Sequence, residues 1–337
     1  MTKLTLWLGW FLLLFVVCFG LGYPTLNRYT PPATHGLSDS LQYYRLVEQG
    51  PQAAFGHWKY RILVPFLAKP IYWIASGRLR SWNPTSFALL VVNSGFCAAA
   101  ATLLSRLVFR LYQNSVIAVT ASFAYLLNFT VANFHLSGLV DSAEAFWFLA
   151  LTWSLMTRRW LVLPIIGLFA GLSKETFVPG AFVFATVWIL SEPNREWAKA
   201  SAGILGMTVV ALITVMAVRS TIDHALVTPW QIVVQEKVVS AGVLHNLLAI
   251  FMSWTFWLTL VWAPFLFLAA KRIPKAWSYG AVAGAVASLA LAVWNNAGGG
   301  NTARPMFNVL GPVLALSFAL TAEAAQQLAS RSRDSLS

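Results

Sequence analysis

The sequence predicts an all-helical protein that crosses a membrane several times. Hydrophobic residues make up 58% of its 337 residues and charged residues only 10%, against about 25% in an average chain. The hydrophobic residues form long continuous runs, without the alternation of polar and apolar residues that marks barrel strands. Because backbone groups in lipid must find hydrogen-bond partners within the protein, these runs favour a helix bundle.

The formal net charge of +12 raises the question of nucleic-acid binding. Lys and Arg gather at the ends of the apolar runs, where membrane topology requires them, so we expect membrane lipids and no nucleic acid as partners. Cys18 and Cys97 both lie in apolar runs and suggest no disulfide framework. The five histidines lack metal-ligand spacing. The sequence therefore establishes no cofactor. A divalent metal stays open as a cofactor, without a recognisable site.

The first predicted span covers residues 4–22, and a large outer loop follows over residues 23–84. Within the loop, Asp39 is positioned to begin a short helix that ends near Glu48. Residues 61–76 are apolar but interrupted by prolines and a lysine, which suits an amphipathic helix lying in the membrane interface.

The next predicted spans follow from further apolar runs, which cover approximately residues 85–105, 115–134, 137–157, 160–190, 200–218, 246–270, 276–294 and 305–322. The run at 160–190 is too long for one upright helix and carries Lys174 at its middle. We expect a hairpin of two short helices with its tip at Lys174. Each limb of about 14 residues would be roughly 21 Å long, short of the ~30 Å hydrocarbon core.

The loop charges set the predicted topology. Lys and Arg alternate regularly between loops if the chain has about ten spans and both termini are cytoplasmic. Residues 1–323 then form a single transmembrane domain, and residues 324–337 form a short cytoplasmic tail.

Acidic residues are scarce, and this topology brings most of them to the outer side. Seven of the eleven lie there: Asp39, Glu48, Asp141, Glu144, Glu175, Asp223 and Glu236. An ionised group at the bilayer centre costs about 2.5–3.5 kcal/mol, so such groups usually line a cavity. For Asp39 two interpretations stay open: a helix cap, or a general base that Tyr43, on the same helix face, orients.

Asp141 and Glu144 are three residues apart and therefore share a helix face. Lys174 and Arg304 are expected at the same membrane level. One interpretation is an ion-pair cluster that holds the outer helix ends together. The other is a site in which Lys174 or Arg304 holds a phosphate, since arginine suits bidentate phosphate contacts. Residues 295–304 are predicted to form a Gly/Asn-rich outer loop, either a flexible turn or an anion cradle.

Several short motifs appear in a characteristic order. They are Asp39, Tyr43 and Tyr44; Tyr60, Arg61, Leu63, Pro65 and Leu67; Leu139, Val140 and Asp141; Gly171, Lys174, Glu175 and Thr176; and Arg304, Pro305, Phe307 and Asn308. This order resembles bacterial membrane proteins associated with cell-surface glycopolymer formation. Those proteins are in turn similar to the GT-C superfamily of polyprenyl-phosphate-sugar-dependent glycosyltransferases.

The resemblance implies a GT-C-like bundle in the bacterial inner membrane, with an active site that faces the periplasm. The donor would be a polyprenyl-phosphate-linked sugar, and the acceptor a glycan or lipid. Asp39 matches the catalytic aspartate of such enzymes, although serines flank it where several branches carry an acidic pair. The implied substrate-binding residues are Tyr43, Tyr44, Arg61, Asp141, Glu144, Lys174, Glu175 and Arg304.

Two other functions fit the same residues. A transporter or flippase of a lipid-linked or anionic substrate would also carry charges and a broken hairpin within the membrane. It predicts charges near the midplane and access from both sides, whereas the ionisable residues of this sequence gather toward one side. A non-catalytic subunit of a glycopolymer system would keep the motifs for structural reasons.

Overall fold

The computed structural model describes residues 3–28, 39–79, 81–192, 196–235, 242–294 and 299–334. These residues form α-helices, short 3₁₀ turns and one π turn, and no β-strand is present among them. The predicted all-helical fold is therefore confirmed for the described part of the chain.

The helices are numbered in chain order. They are α1 (Lys3–Arg28), α2 (Ser40–Gln49), α3 (Leu63–Ala75), α4 (Pro84–Tyr112), α5 (Ser115–Leu126), α6 (Asp141–Met156), α7 (Leu163–Ser173), α8 (Phe177–Ser191), α9 (Trp197–Asp223), α10 (Pro229–Gln235), α11 (Val243–Phe251), α12 (Trp254–Thr259), α13 (Ala263–Ala269), α14 (Lys275–Trp294) and α15 (Gly299–Asp334). The 3₁₀ turns are Pro51–Ala53, Gly56–Tyr60 and Trp160–Val162, and the π turn is Val131–His135.

Five helices are long and apolar enough to cross a membrane, namely α1, α4, α9, α14 and α15. The segment from α11 to α13 would make a sixth, although it bends by 62° after α11. These helices indicate a membrane protein. The predicted count of about ten spans, the cytoplasmic termini and the GT-C-like architecture stay predictions.

Helix α15 is the central element of the bundle. It packs against α5, α6, α12, α13 and α14, and 78% of its apolar window is buried, against 17% for α1. The helix begins at Gly299, so Arg304 lies within it rather than in the predicted Gly/Asn-rich loop. Tertiary burial explains this correction, because Thr302 and Ala303 are at most 1% exposed and packing outweighs the weak helix propensity of glycine. Residues 295–298 of that predicted loop, like Glu236, lie outside the described residues.

The loop after α1 contains the two helices that the sequence indicated. Helix α2 begins directly after Asp39 and ends at Gly50, whose φ of 92° requires glycine. Helix α3 is amphipathic: Val64 and Ala68 are fully buried, whereas the opposite face exposes Phe66 and Trp73. An exposed apolar face of this kind suits a helix lying at a membrane surface.

The apolar run at 160–190 breaks where predicted. Helix α7 ends at Ser173 and α8 begins at Phe177. Helices α7 and α9 run parallel, because a Cβ on Gly167 would meet Met207 and a Cβ on Gly171 would meet Ala211. Helix α8 contacts α9 and is joined to it by residues 192–196 alone, so these two run antiparallel. It follows that α7 and α8 form a hairpin whose tip carries Lys174.

Close backbone approach holds α7 against α9. A Cβ on Gly167 would lie 2.3 Å from the carbonyl oxygen of Met207, and one on Gly171 would lie 2.9 Å from that of Ala211. Small residues at such positions are the usual means by which helices approach closely in membranes. The pairing that positions the hairpin tip therefore depends on these glycines.

We predict that Gly167→Ala destabilises the protein by about 1–3 kcal/mol, because the new methyl group overlaps backbone that must move. Gly95→Ala is the matched control, since a Cβ on Gly95 meets nothing within 4 Å. Unfolding of the purified proteins in increasing SDS measures both changes. Equal stability of the two variants would contradict the close contact between α7 and α9.

Candidate functional site

The polar end of the bundle, where α6 and α15 begin, holds a group of ionisable side chains that we call the charge cluster. Its members are Asp39, Asp141, Glu144, Lys174 and Arg304. They come from the start of α2, the first turn of α6, the hairpin tip and the first turns of α15. The sequence placed these residues at one membrane level, and the structure brings all five into one connected network.

Lys174 lies at the centre of the charge cluster. Its Nζ is 2.6 Å from Asp141 Oδ1 and 3.0 Å from Glu144 Oε2. All three side chains are at most 5% exposed. The two carboxylates stand on one helix face, as their spacing predicted, and the first turn of a helix favours negative charge. The Lys174 ammonium thus contacts two buried carboxylates at once.

Arg304 connects this centre to Asp39. Its Nη1 donates to Asp141 Oδ2 at 3.2 Å, and its Nη2 donates to Asp39 Oδ2 at 3.0 Å. The guanidinium also lies 5.4 Å from the centre of the Phe134 ring, a cation–π contact. Asp39 makes no side-chain capping hydrogen bond to α2. Its carboxylate is therefore held by Arg304 and does not cap the helix.

Three neutral side chains complete the charge cluster. Thr176 Oγ1 donates to Glu144 Oε1 at 2.6 Å, and Asn308 Nδ2 donates to Glu144 Oε2 at 2.7 Å. Asn308 Oδ1 lies 2.9 Å from Nε2 of the buried His135. Because the Asn308 amide nitrogen already faces Glu144, its oxygen must accept, so His135 carries its proton on Nε2. The sequence did not point to His135, since a lone histidine in an apolar run has no distinguishing pattern.

A second group joins the loop after α1 to the hairpin tip. Arg61 donates from Nε to both Glu175 oxygens at 3.1 Å and also from Nη2 to Glu175 Oε1. Its Nη1 donates to the Tyr43 hydroxyl at 3.2 Å. Burial raises the pKa of Tyr43 to about 12, which keeps the phenol neutral. Tyr44, one position later, lies instead against Gly138 and accepts a hydrogen bond from Ser86 Oγ.

A third group fastens the same loop to the end of α9. Lys59 Nζ lies 2.5 Å from Asp223 Oδ1, and the Tyr60 hydroxyl donates to Asp223 Oδ2 at 2.6 Å. The buried Arg219 guanidinium stacks 4.6 Å from the Tyr60 ring centre. The sequence did not predict this contact of Arg219, because membrane topology also places single arginines near the ends of apolar runs.

Accessibility differs sharply within the charge cluster. Asp39 and Arg304 side chains are 14% and 10% exposed, whereas Asp141 and Glu144 are 2% and 1% exposed. A molecule approaching the polar end therefore meets Asp39 and Arg304 first. Among the described residues no group of three or more His, Cys, Asp or Glu side chains could hold a metal ion.

Comparison of the chain with protein-family models, with curated proteins and with solved structures finds no match.

We predict that Lys174→Met lowers the free energy of unfolding by about 3–5 kcal/mol, because it leaves the buried Glu144 without its cation and Asp141 with Arg304 alone. Lys199→Met is the matched control: the Lys199 side chain is 70% exposed, and a change of at most about 0.5 kcal/mol is expected there. SDS titration of the purified variants measures both. A Lys174→Met protein as stable as the control would contradict the central place of Lys174.

Acid pH is expected to loosen the loop after α1 through His57. Burial lowers the pKa of His57 to about 4, against about 6.5 in an unfolded chain. Between these values the unfolded chain binds the extra proton and the folded protein does not, so stability falls as the pH falls from 6.5 toward 4. At pH 5 the effect is about 2 kcal/mol. The SDS unfolding curves of wild type and His57→Gln at pH 7 and pH 5 measure it, and equal pH dependence in both proteins would refute it.

Proposed function

We propose that this protein is a membrane glycosyltransferase that moves a sugar from a polyprenyl-phosphate donor to an acceptor hydroxyl during cell-surface glycan assembly. The observation that carries the proposal is the position of Asp39. This carboxylate stands at the accessible edge of a buried ionic network, 3.0 Å from an arginine that orients it.

In the proposed reaction Asp39 acts as a general base. It removes the proton of the acceptor hydroxyl as that oxygen attacks the anomeric carbon of the donor. The bond between this carbon and the phosphate oxygen breaks, and the lipid phosphate leaves with the bonding electrons. Direct displacement inverts the anomeric carbon. A positioned base of this kind contributes about 10²–10⁴-fold to the rate.

Arg304 is the cation that would stabilise the departing phosphate. Its planar guanidinium suits paired contacts with phosphate oxygens, and it is more exposed than Lys174. Fixed cations that face developing negative charge often supply the largest share of catalysis. Lys174 contacts two carboxylates and therefore acts through them: it holds Asp141, which in turn holds Arg304 in place.

The proposal includes a location. Every member of the charge cluster lies at the polar end of the bundle, which supports chemistry on one face of the membrane. With the topology expected from the loop charges, this face is the periplasmic side of a bacterial inner membrane. Arg61, Glu175 and Tyr43 lie beside the charge cluster and would help to shape the substrate site.

Asp39→Asn tests the proposal. Asparagine keeps the size of the side chain and an oxygen that accepts from Arg304, but it removes the basic carboxylate. We expect the variant to lose about 10²–10⁴-fold in transfer rate and to remain folded. Glu48→Gln on the same helix is the matched control, since Glu48 accepts a hydrogen bond from Thr85 outside the charge cluster.

The measurement has two stages. Mass spectrometry of surface and lipid-linked glycans compares a deletion strain with strains that carry wild type, Asp39→Asn or Glu48→Gln, and it identifies the sugar. Transfer of that sugar is then followed with purified protein in detergent, where no bilayer remains for a flippase to act on. Unchanged glycans in the deletion strain, or a wild-type rate for Asp39→Asn, would overturn the proposed role. Altered glycans without transfer in detergent would favour a flippase or a non-catalytic subunit.

A further inference from the structure

A cavity of about 360 Å³ opens between α8, α9, α10 and α14. We call it the tail cavity. Its apolar wall includes Phe182, Leu212, Leu291 and Trp294, and its other end is formed by Glu175 and Thr176 at the hairpin tip. The wall also includes Thr208, whose hydroxyl donates to the Ile204 carbonyl oxygen of its own helix. A mostly apolar wall with a carboxylate at one end matches the form of an amphiphile, with a chain and a head group.

The chemistry of the polar end of the tail cavity restricts the head group. Of the described residues that line the cavity, Glu175 alone carries a charge. Two Arg61 nitrogens and the Glu175 backbone N–H donate to it, which makes three donors for about four lone-pair positions. Glu175 therefore retains the capacity to accept a further hydrogen bond from a bound molecule.

We propose that the tail cavity binds an uncharged amphiphile whose hydroxyl groups donate to Glu175, such as a glycolipid or an alkyl glycoside. The chain occupies the wall formed by Phe182 and Leu212, and the hydroxylated head lies at Glu175 and Thr176. The site is distinct from the charge cluster but adjoins it, because Thr176 also donates to Glu144.

Charge balance argues against an ionic head group. A phosphate at Glu175 would place two anions together where the low dielectric strengthens their repulsion. Arg61 is buried and already bidentate with Glu175, so it does not offset a second anion. An ammonium head would in turn add a positive charge to an ion pair that is already neutral. A hydroxylated head group donates a hydrogen bond to Glu175 and leaves the ion pair between Arg61 and Glu175 intact.

This inference stands on the tail cavity and does not require transferase activity. If the proposed function also holds, the occupant belongs to the acceptor side, since the donor carries a phosphate. A binding experiment tests the tail cavity separately from the proposed transferase activity, because binding needs no catalytic turnover. Failure of binding leaves the role of Asp39 untouched, and a catalytically inert protein can still bind the amphiphile.

The experiment uses the full protein in phosphatidylcholine nanodiscs and a dodecyl glucoside with a diazirine at the end of its chain. After irradiation, peptide mass spectrometry locates the label. We expect labelling of peptides that contain Phe182 or Leu212. Unlabelled dodecyl glucoside should compete about tenfold better than dodecyl phosphate or dodecylammonium, the size expected for one hydrogen bond to a charged group.

Each other outcome overturns the proposal. Better or equal competition by dodecyl phosphate would make the tail cavity an anion site, and better or equal competition by dodecylammonium would make it a cation site. Label spread evenly over the lipid-facing helices would indicate boundary lipid without a specific site.

A matched pair of variants tests the location without disturbing the ion pair. Leu212→Trp fills the tail cavity and should reduce specific labelling about tenfold, which corresponds to about 1.4 kcal/mol of lost binding free energy. Ile213→Trp adds the same group one residue later, on a side chain that is 58% exposed and does not line the tail cavity, and should label like wild type. Equal labelling of both variants would place the probe elsewhere.

Glu175→Gln adds a test of the head group. It leaves Arg61 without its anionic partner, so dodecyl phosphate should become the better competitor in any variant protein that folds. An unchanged order of competitors in folded Glu175→Gln would show that Glu175 does not select the head group.

Discussion

The pairing of one lysine with two carboxylates organises the polar end of the bundle. Lys174, Asp141 and Glu144 are all nearly inaccessible, and a buried charge of either sign is costly without an opposite charge beside it. Lys174 stands where α7 ends and α8 begins, and from this hairpin tip it reaches the first turn of α6. Through Asp141 and Glu144 the same contact positions Arg304 and Asn308 on α15.

The charge cluster has a buried interior, which stabilises the structure, and a more exposed edge, whose groups are accessible for chemistry. Glu144 is enclosed by Lys174, Thr176 and Asn308, so its role is structural. Asp39 lies at the other end of the same chain of contacts and is the most exposed member. A rigid interior fixes the orientation of groups at the edge, and such preorganisation is what gives charged groups their catalytic value. The structural and chemical interpretations of these residues are therefore complementary.

The loop after α1 belongs to the site. Arg61 binds the hairpin tip through Glu175, and Lys59 binds the end of α9 through Asp223. The tail cavity lies between α8 and α9, the two helices that lead away from these contacts. One loop is thus attached to both walls of the tail cavity, while α2 within it carries Tyr43 toward Arg61 and begins beside Asp39.

The sequence by itself determined what depends on neighbours along the chain. Continuous apolar runs produced helices, Lys174 within such a run produced a break, and a spacing of three residues placed Asp141 and Glu144 on one face. Only the tertiary structure decided which groups pair. Arg304 and Asp141 are 163 positions apart, and His135 and Asn308 are 173 apart. No local pattern encodes contacts between such distant residues, because they form only when packing of the whole bundle brings the helix ends together.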